Sequence, residues 1–419
     1  MYIKYLSLVI VIGILSGKFV IALNFEPDFI IAPDSSGDYQ SIQQAIDLVP
    51  ENNSERIIIY IKAGKYEEKV FIDKNCITII GENPGNTVIE LAVLRDDWVN
   101  KNGNDWGAAV VNIRASDIII KNLTVYNSYG DLHDIHEHQF AVRLMEGTRI
   151  IFDNCRFIAG GGDTVSLWDK EKGMYYHRNC YFRGYVDFVC PRGWCYITNS
   201  RFYEDKTTAA IWHDGELNRN QKFVIKNSEF DGTKGFKLGR RHYDARFYLL
   251  NCSFSANMAD EPIYRVTYPE EPERDRPNLW GDRYYFFNCH RKSEDFAWYR
   301  DNLPSDLSPE QITAEWTFDY RWNPKKETPL FPEAWSVESN QIQLFFNEKI
   351  SVKGQPELMM RSGVKCYYCG GGGSKIIRFK ADDKISIHDK PLKIISDTGI
   401  ISASRAYLYN LPVVIGDNL

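Results

Sequence analysis

The sequence predicts an all-β protein, a right-handed parallel β-helix followed by a small β-sandwich. Three observations predict it. A four-residue phrase beginning with Asn recurs from residue 122 onward, the intervals between copies carry apolar strand-like runs without helical periodicity, and the last 85 or so residues change to alternating polar and apolar positions. Strands that recur at this spacing cannot bury their apolar faces singly, so they must stack.

The elements follow in order. Lys4 precedes the apolar run Leu6 to Leu15, and Val20-Ile21-Ala22 offers a cleavage end, so residues 1–22 are expected to be an export signal. Ser16, Gly17 and Lys18 interrupt the run, and no membrane span is expected in the mature chain. Secreted, periplasmic or cell-surface placement follows. Ser41-Ile-Gln-Gln-Ala-Ile-Asp-Leu48 has helical spacing behind a capping Ser and is expected to close the amino-terminal end of the solenoid. Ile57 to Ile61, Ile77 to Ile80 and Ile118 to Ile120 fit as strands of the first coils.

The repeat itself reads Asn122-Leu-Thr-Val125, Asn154-Cys-Arg-Phe157, Asn179-Cys-Tyr-Phe182, Asn199-Ser-Arg-Phe202, Asn227-Ser-Glu-Phe230, Asn251-Cys-Ser-Phe254 and, more loosely, Asn288-Cys-His-Arg291, at spacings of 32, 25, 20, 28, 24 and 37 residues. The second and fourth residues of each phrase share one strand face, with Asn at the strand's start. After the Pro-containing stretch Asn323 to Pro332, strands are expected at Gln341 to Phe346, Ser351-Val352, Lys375 to Phe379 and Arg405 to Tyr409. The segment Phe346 to Leu358, with Cys369 and Gly370 to Gly373, resembles immunoglobulin-like surface modules. The expected domains are therefore 23–325 and 326–419.

Composition narrows the function. Fifty Lys plus Arg against 56 Asp plus Glu give a net charge of −6, too balanced for binding nucleic acid by phosphate attraction. Hydrophobic residues at 44% with 25% charged residues exclude a disordered chain. The nine cysteines are an odd number, so an oxidising compartment leaves at least one free thiol. Cys366 and Cys369 form a lone C-x-x-C, read as a local disulfide or two thiols rather than half a zinc site.

The repeat also locates a candidate site. Asp163 follows Asn154 by nine residues and Asp187 follows Asn179 by eight, so the two carboxylates fall at nearly equivalent places on consecutive coils. Neighbouring strands lie ~4.8 Å apart, which puts the side chains within roughly 5 Å. One of two carboxyls that close tends to hold a proton while the other stays ionised, an acid beside a nucleophile or base. The competing expectation is that each Asp only satisfies backbone N–H groups at a coil corner.

Five motifs, in order, resemble those of pectin methylesterases: Gly64-Lys-Tyr-Glu-Glu-Lys-Val70 (G-x-Y-x-E), Gln139-Phe-Ala-Val-Arg-Leu144 (Q-A-V-A-L), Gly162-Asp-Thr-Val165 (Q-D-T-L), Asp187-Phe-Val-Cys-Pro191 (D-F-I-F-G) and Leu238-Gly-Arg-Arg-His242 (L-G-R-P-W). The resemblance spans roughly residues 28 to 322 and implies a pectin-lyase-like solenoid acting on methyl-esterified pectin without metal or organic cofactor. It implies that Asp187 is the nucleophile, Asp163 the acid and then base, Arg240 the cation that keeps Asp187 ionised, and Gln139 a donor to the oxyanion.

Departures from the pattern bear on that reading. The second oxyanion Gln is Gly162 here, and the Trp of L-G-R-P-W is His242. Thr164, Trp212, His213, Arg241 and His242 are the expected substrate-binding residues, His213 as a replacement donor or a packing residue and Arg241 as a contact for a free carboxylate. The insertion Ser128 to His138, with His133, His136 and His138, is expected to border the groove, its His residues solvated rather than metal-bound. A monomer is expected. Three alternatives remain: a glycoside hydrolase on the same fold, since a close carboxylate pair also suits a retaining glycosidase; an esterase disabled by Gly162 that only binds pectin; and a structural adhesin.

Overall fold

The structure, a computed structural model, describes residues 27–326, 334–346, 349–352, 354–386, 389, 391–396 and 400–402. The expected export segment 1–22 and the strand expected at Arg405 to Tyr409 lie outside these residues. The chain divides into two compact units, one spanning Pro27–Pro324 and one built from residues after it.

Among the described residues the first unit is a parallel β-helix of three sheets with ten, eight and nine strands. Each coil contributes one strand to each sheet. Ile57–Ile61, Ile77–Gly81 and Ile118–Lys121 are the early strands of the ten-stranded sheet, in register Ile59 to Ile79 and Ile79 to Ile120. The repeated Asn is the bend between the ten-stranded and nine-stranded sheets. Asn122, Asn154, Asn179, Asn199, Asn227, Asn251 and Asn288 all have φ between 49° and 57°. Asn tolerates this left-handed conformation better than other side-chain-bearing residues, because its short amide bonds locally. The amides also stack: Asn154 donates to Asn122 Oδ1 at 3.0 Å, Asn251 to Asn227 at 3.0 Å and Asn288 to Asn251 at 2.9 Å.

One and three residues past each bend the side chains point inward. Phe157, Phe182, Phe202, Phe230 and Phe254 are buried and form a ladder with ring centroids 5.7, 5.0, 4.3 and 5.4 Å apart. Cys155, Cys180, Cys252 and Cys289 occupy the other inward position as buried, unbridged thiols. They pack as small apolar residues, and burial pushes the thiols of Cys155, Cys180 and Cys252 up.

The helix Ile42–Asp47 covers the amino-terminal end, capped by Ser41 and by Glu68. The Glu68 carboxylate accepts from the N–H groups of Ile42 at 2.8 Å and Gln43 at 3.1 Å. Thus the last residue of Gly64-Lys-Tyr-Glu-Glu68 serves the end cap rather than the chemistry. The segment around Ala314–Thr317 packs Ile312, Ala314, Phe318 and Trp322 over outward residues of the ten-stranded sheet, including Ile151, Tyr176 and Tyr248. That cover explains why those strands are apolar on both faces.

In the second unit, Ala334–Glu338, Gln341–Phe345, Ile376–Lys380, Lys365–Gly370, Glu357–Met360 and Pro391–Ser396 form an antiparallel sheet in that order, and Ile350–Val352 pairs with Ile400–Ser402. Trp335, Leu344, Leu358 and Phe379 share an apolar cluster with Ile350 and Ile400. Cys366 is buried and Cys369 exposed; three positions apart on one strand, they face opposite sides and form no disulfide.

Candidate active site

The candidate carboxylates sit where strands of the eight-stranded sheet begin. Val165–Leu167 pairs with Val189–Pro191 in register Val165 to Val189, so Asp163 and Asp187 lie level on consecutive coils. Both take left-handed φ values, 60° and 55°, at a sharp entry to the strand. Backbone bonds hold that corner: Asp163 N–H donates to Val186 O at 3.1 Å and Asp187 N–H to Ala209 O at 2.7 Å. Neither side chain is needed to satisfy the local backbone in these bonds, which leaves both carboxyls for other work.

Arg240 arrives from two coils further on, in Lys237–Arg241. Its Nε lies 2.9 and 3.1 Å from the Asp187 oxygens and its Nη2 2.7 Å from Oδ2, a two-point contact. Burial pushes Asp187 up, the Arg240 hydrogen bonds and charge pull it down, and Asp163 pushes it up again, leaving it at about 6. Near neutral pH this is an ionised, fixed carboxylate beside a half-buried second carboxyl. The pair can attack an electrophilic carbon and pass a proton to a leaving group.

The other expected site residues divide. Trp212 and His242 stand beside Arg240: Trp212 is in register with Arg240, and its Nε1–H donates to His242 Nδ1 at 2.9 Å. Burial and nearby Arg240 push His242 down to about 4, so it is neutral. Both line a cavity of about 570 Å³ with Arg192, Tyr243, Tyr268 and Arg276, while Asp187 and Arg240 lie outside its wall.

Three residues expected to meet substrate are turned elsewhere. Arg241 is fully buried and bound to Asp282, to Tyr284 Oη and to Tyr243 O, because strand alternation sends it to the face opposite Arg240. His213 is fully buried between coils, one nitrogen at 2.8 Å from Gly193 O and the other accepting from Gly215 N–H at 3.0 Å; this makes it a packing residue. Thr164 is fully buried and its hydroxyl reaches Arg183 O at 3.4 Å.

Gln139 lies on the coil before Asp163 but is also fully buried. Its Oε1 accepts from Gly130 N–H at 2.8 Å and its Nε2 donates to Ile135 O, so the amide braces the loop Ser128 to His138. In that loop His136 lies 2.6 Å from Gly160 O and 3.1 Å from Asp134, and stacks on Tyr185 at 4.5 Å. His133 and His138 are exposed. No group of ligands able to hold a metal ion occurs among the described residues.

Sequence reasoning missed a row of stacked groups. The Arg143 guanidinium lies 4.1 Å from the Trp168 ring centre, Arg192 lies 3.4 Å from that ring and 4.4 Å from Trp212. The available signal was an Arg inside the apolar run Phe140-Ala-Val-Arg-Leu144. It also missed Glu204, fully buried behind the site, whose Oε1 accepts from Lys206 N–H at 2.9 Å and Thr208 Oγ1 at 3.2 Å while Oε2 has no partner among the described residues.

Known proteins share this sequence and architecture. The pectinesterase family profile matches residues 28–248. Pectinesterase 4 of Arabidopsis thaliana is 34% identical over 175 residues, 41% of this chain and 28% of that protein. A pectinesterase of Petunia integrifolia is 31% identical over 180 residues, 42% of this chain and 45% of that protein. The chain thus spans under half the length of either relative. Among solved structures, a pectin methylesterase from Erwinia chrysanthemi superimposes with a TM-score of 0.58 at 20% identity, covering 72% of this chain and 99% of that one. The carrot pectin methylesterase gives 0.54 at 21% identity over 65% and 86% of the two chains. These neighbours share the parallel β-helix fold. The profile covers more than half of the sequence and includes all five motifs complete, with the pair Asp163 and Asp187 and the arginine Arg240; the chain belongs to the pectinesterase family.

Proposed function

We propose that this chain is an exported pectinesterase that hydrolyses methyl esters of galacturonate units in pectin. The observation that carries the reading is the two-point contact of Arg240 on Asp187, with Asp163 level on the preceding coil. Asp187 attacks the ester carbonyl carbon, forming a C–O bond and an oxyanion. The oxyanion collapses as the methoxide leaves, taking a proton from Asp163 and departing as methanol. Asp163, now ionised, removes a proton from water, which attacks the acyl carbon and frees Asp187 and the product carboxylate. Arg240 keeps Asp187 ionised and aimed throughout. Trp212 and His242 offer a wall for a sugar ring beside the reacting unit. Export rests on the residues Lys4 to Ala22, and a single catalytic chain suffices for this chemistry.

Methanol release from highly methyl-esterified pectin tests the reading, with Asp187→Asn as control. Methanol from the wild type alone supports it. A second reading has one observation in its favour: Gly162 has no side chain, and the buried Gln139 amide commits its oxygen and one N–H to loop backbone, so an esterase short of oxyanion donors would bind pectin without turning it over. Retained binding without methanol would favour that reading.

A further inference from the structure

We propose that His138 donates the side-chain hydrogen bond to the carbonyl oxygen that becomes the oxyanion when Asp187 attacks. The inference rests on the esterase reading above and supplies a part that reading lacks. Attack on an ester carbonyl places negative charge on oxygen, and a donor about 2.7–3.1 Å from that atom is worth about 10²- to 10³-fold in rate.

The donors around Asp187 are few. Arg240 has turned its Nε and Nη2 edge onto the carboxylate itself. Gln139 is fully buried with both ends of its amide bonded to loop backbone. Gly162, level with Asp163's strand entry, offers no side chain.

His138 fills this gap by position. It pairs with Gly162 as a parallel bridge, and its own carbonyl accepts from Arg95 N–H at 3.1 Å, so its backbone is fixed on both sides. Gln139 points inward, and strand alternation therefore sends His138 outward. The ring lies beside the space Gly162 leaves open: a Cβ built on Gly162 would sit 3.9 Å from His138 Cδ2. Nε2 is bonded to Cδ2, the ring atom nearest that space. The ring is exposed and carries no hydrogen bond to the described residues. It is close enough to Asp187 for its charge to lower that carboxyl's pKa. Nε2 donates in the imidazolium and in the Nε2–H tautomer of the neutral ring, which nothing in the ring's other contacts opposes.

The test is steady-state methanol release by the full chain for wild type, Asp187→Asn, His138→Ala, His138→Gln and the double variant Gly162→Gln/His138→Ala. His138→Ala is expected to lower kcat by about 10²-fold with KM within about twofold, the pattern of a contact made in the transition state. Because the side chain is exposed, the thermal midpoint should stay at the wild-type value. Gln at either position restores an N–H donor, so His138→Gln and the double variant should each regain about tenfold over His138→Ala. The Cβ at Gly162 meets Val186 Cγ1 and O at 3.2 Å, a contact that a small shift relieves, and His138→Gln carries the rescue if the double variant does not fold. A kcat for His138→Ala within about twofold of wild type overturns the assignment while leaving the esterase reading intact. No methanol from the wild type overturns both.

Discussion

Arg240 and Asp187 are 53 residues and two coils apart, yet three N–H···O contacts of 2.7 to 3.1 Å join them. A guanidinium fork on a carboxylate fixes both position and charge. Without it, only the weaker charge of His138 would oppose burial and Asp163, and the carboxyl would hold its proton to higher pH.

That balance sets a pH dependence. Asp187 must be ionised to attack, so kcat/KM for methanol release should fall as pH drops below about 6. Arg240→Ala removes the lowering influence, and the acid limb of the profile should move to higher pH by one unit or more. It should also lower kcat by about 10²-fold through lost orientation. A pH–rate profile of the two proteins measures both effects. An unmoved limb would show that Asp187 is not the titrating group.

Glu204 predicts a pH-dependent stability unrelated to catalysis. Burial pushes its carboxyl from 4.5 up to about 8, with Lys206 N–H and Thr208 opposing and Asp205 and Asp187 reinforcing the rise. The folded state therefore holds a proton that the unfolded chain releases, and stability should fall as pH rises from about 4.5 to 8. Glu204→Gln keeps the shape and removes the titration. The wild type should lose roughly 3–5 kcal/mol more than the variant across that window, read from urea midpoints at pH 5 and pH 8.5.

Asp153 is fully buried between Lys121 at 2.5 Å and Arg178 at 2.7 Å. Burial alone would raise its pKa, but the two cations hold the carboxyl well below the usual range. Asp153→Ala removes the carboxylate that both buried cations share and should cost ~3–5 kcal/mol. Equilibrium unfolding at pH 7 measures it, and a cost under about 1 kcal/mol would mean that the cations find other partners or water.

Phe202 stands inside the aromatic ladder, 5.0 Å from Phe182 and 4.3 Å from Phe230. Phe202→Ala opens a cavity between two coils that cannot close without breaking strand register. The expected loss is ~3–5 kcal/mol in unfolding free energy.

His242 accepts the Trp212 indole N–H at 2.9 Å in the cavity beside Arg240. His242→Ala frees that N–H and the ring's orientation. KM for pectin should rise by about threefold to tenfold with kcat little changed, the signature of a lost binding contact.

Much of the architecture is legible locally. An Asn that must bend the chain at left-handed φ, followed by a small or sulfur-bearing residue and a Phe on one face, is a statement about consecutive residues, and it repeats. Counting from that Asn puts Asp163 and Asp187 at nearly equivalent places on consecutive coils, and the parallel register of Val165 with Val189 makes them level. The same counting could not assign Arg240 and Arg241. Alternation says they face opposite ways, but only the fold decided that Arg240 takes Asp187 and that Arg241 is locked to Asp282 and Tyr284.

Side-chain fates that depend on other coils were decided by tertiary structure alone. Gln139 braces a loop, His213 packs between coils, and Glu204 loses its water, each through contacts to backbone or side chains that sequence position does not order. Sequence by itself determined the coil, its repeat and the pair of carboxylates, since these follow from backbone preference and strand period. The tertiary structure decided which polar groups remain free to meet a ligand, since burial and hydrogen-bond partners are often set by neighbours 20 to 53 residues away.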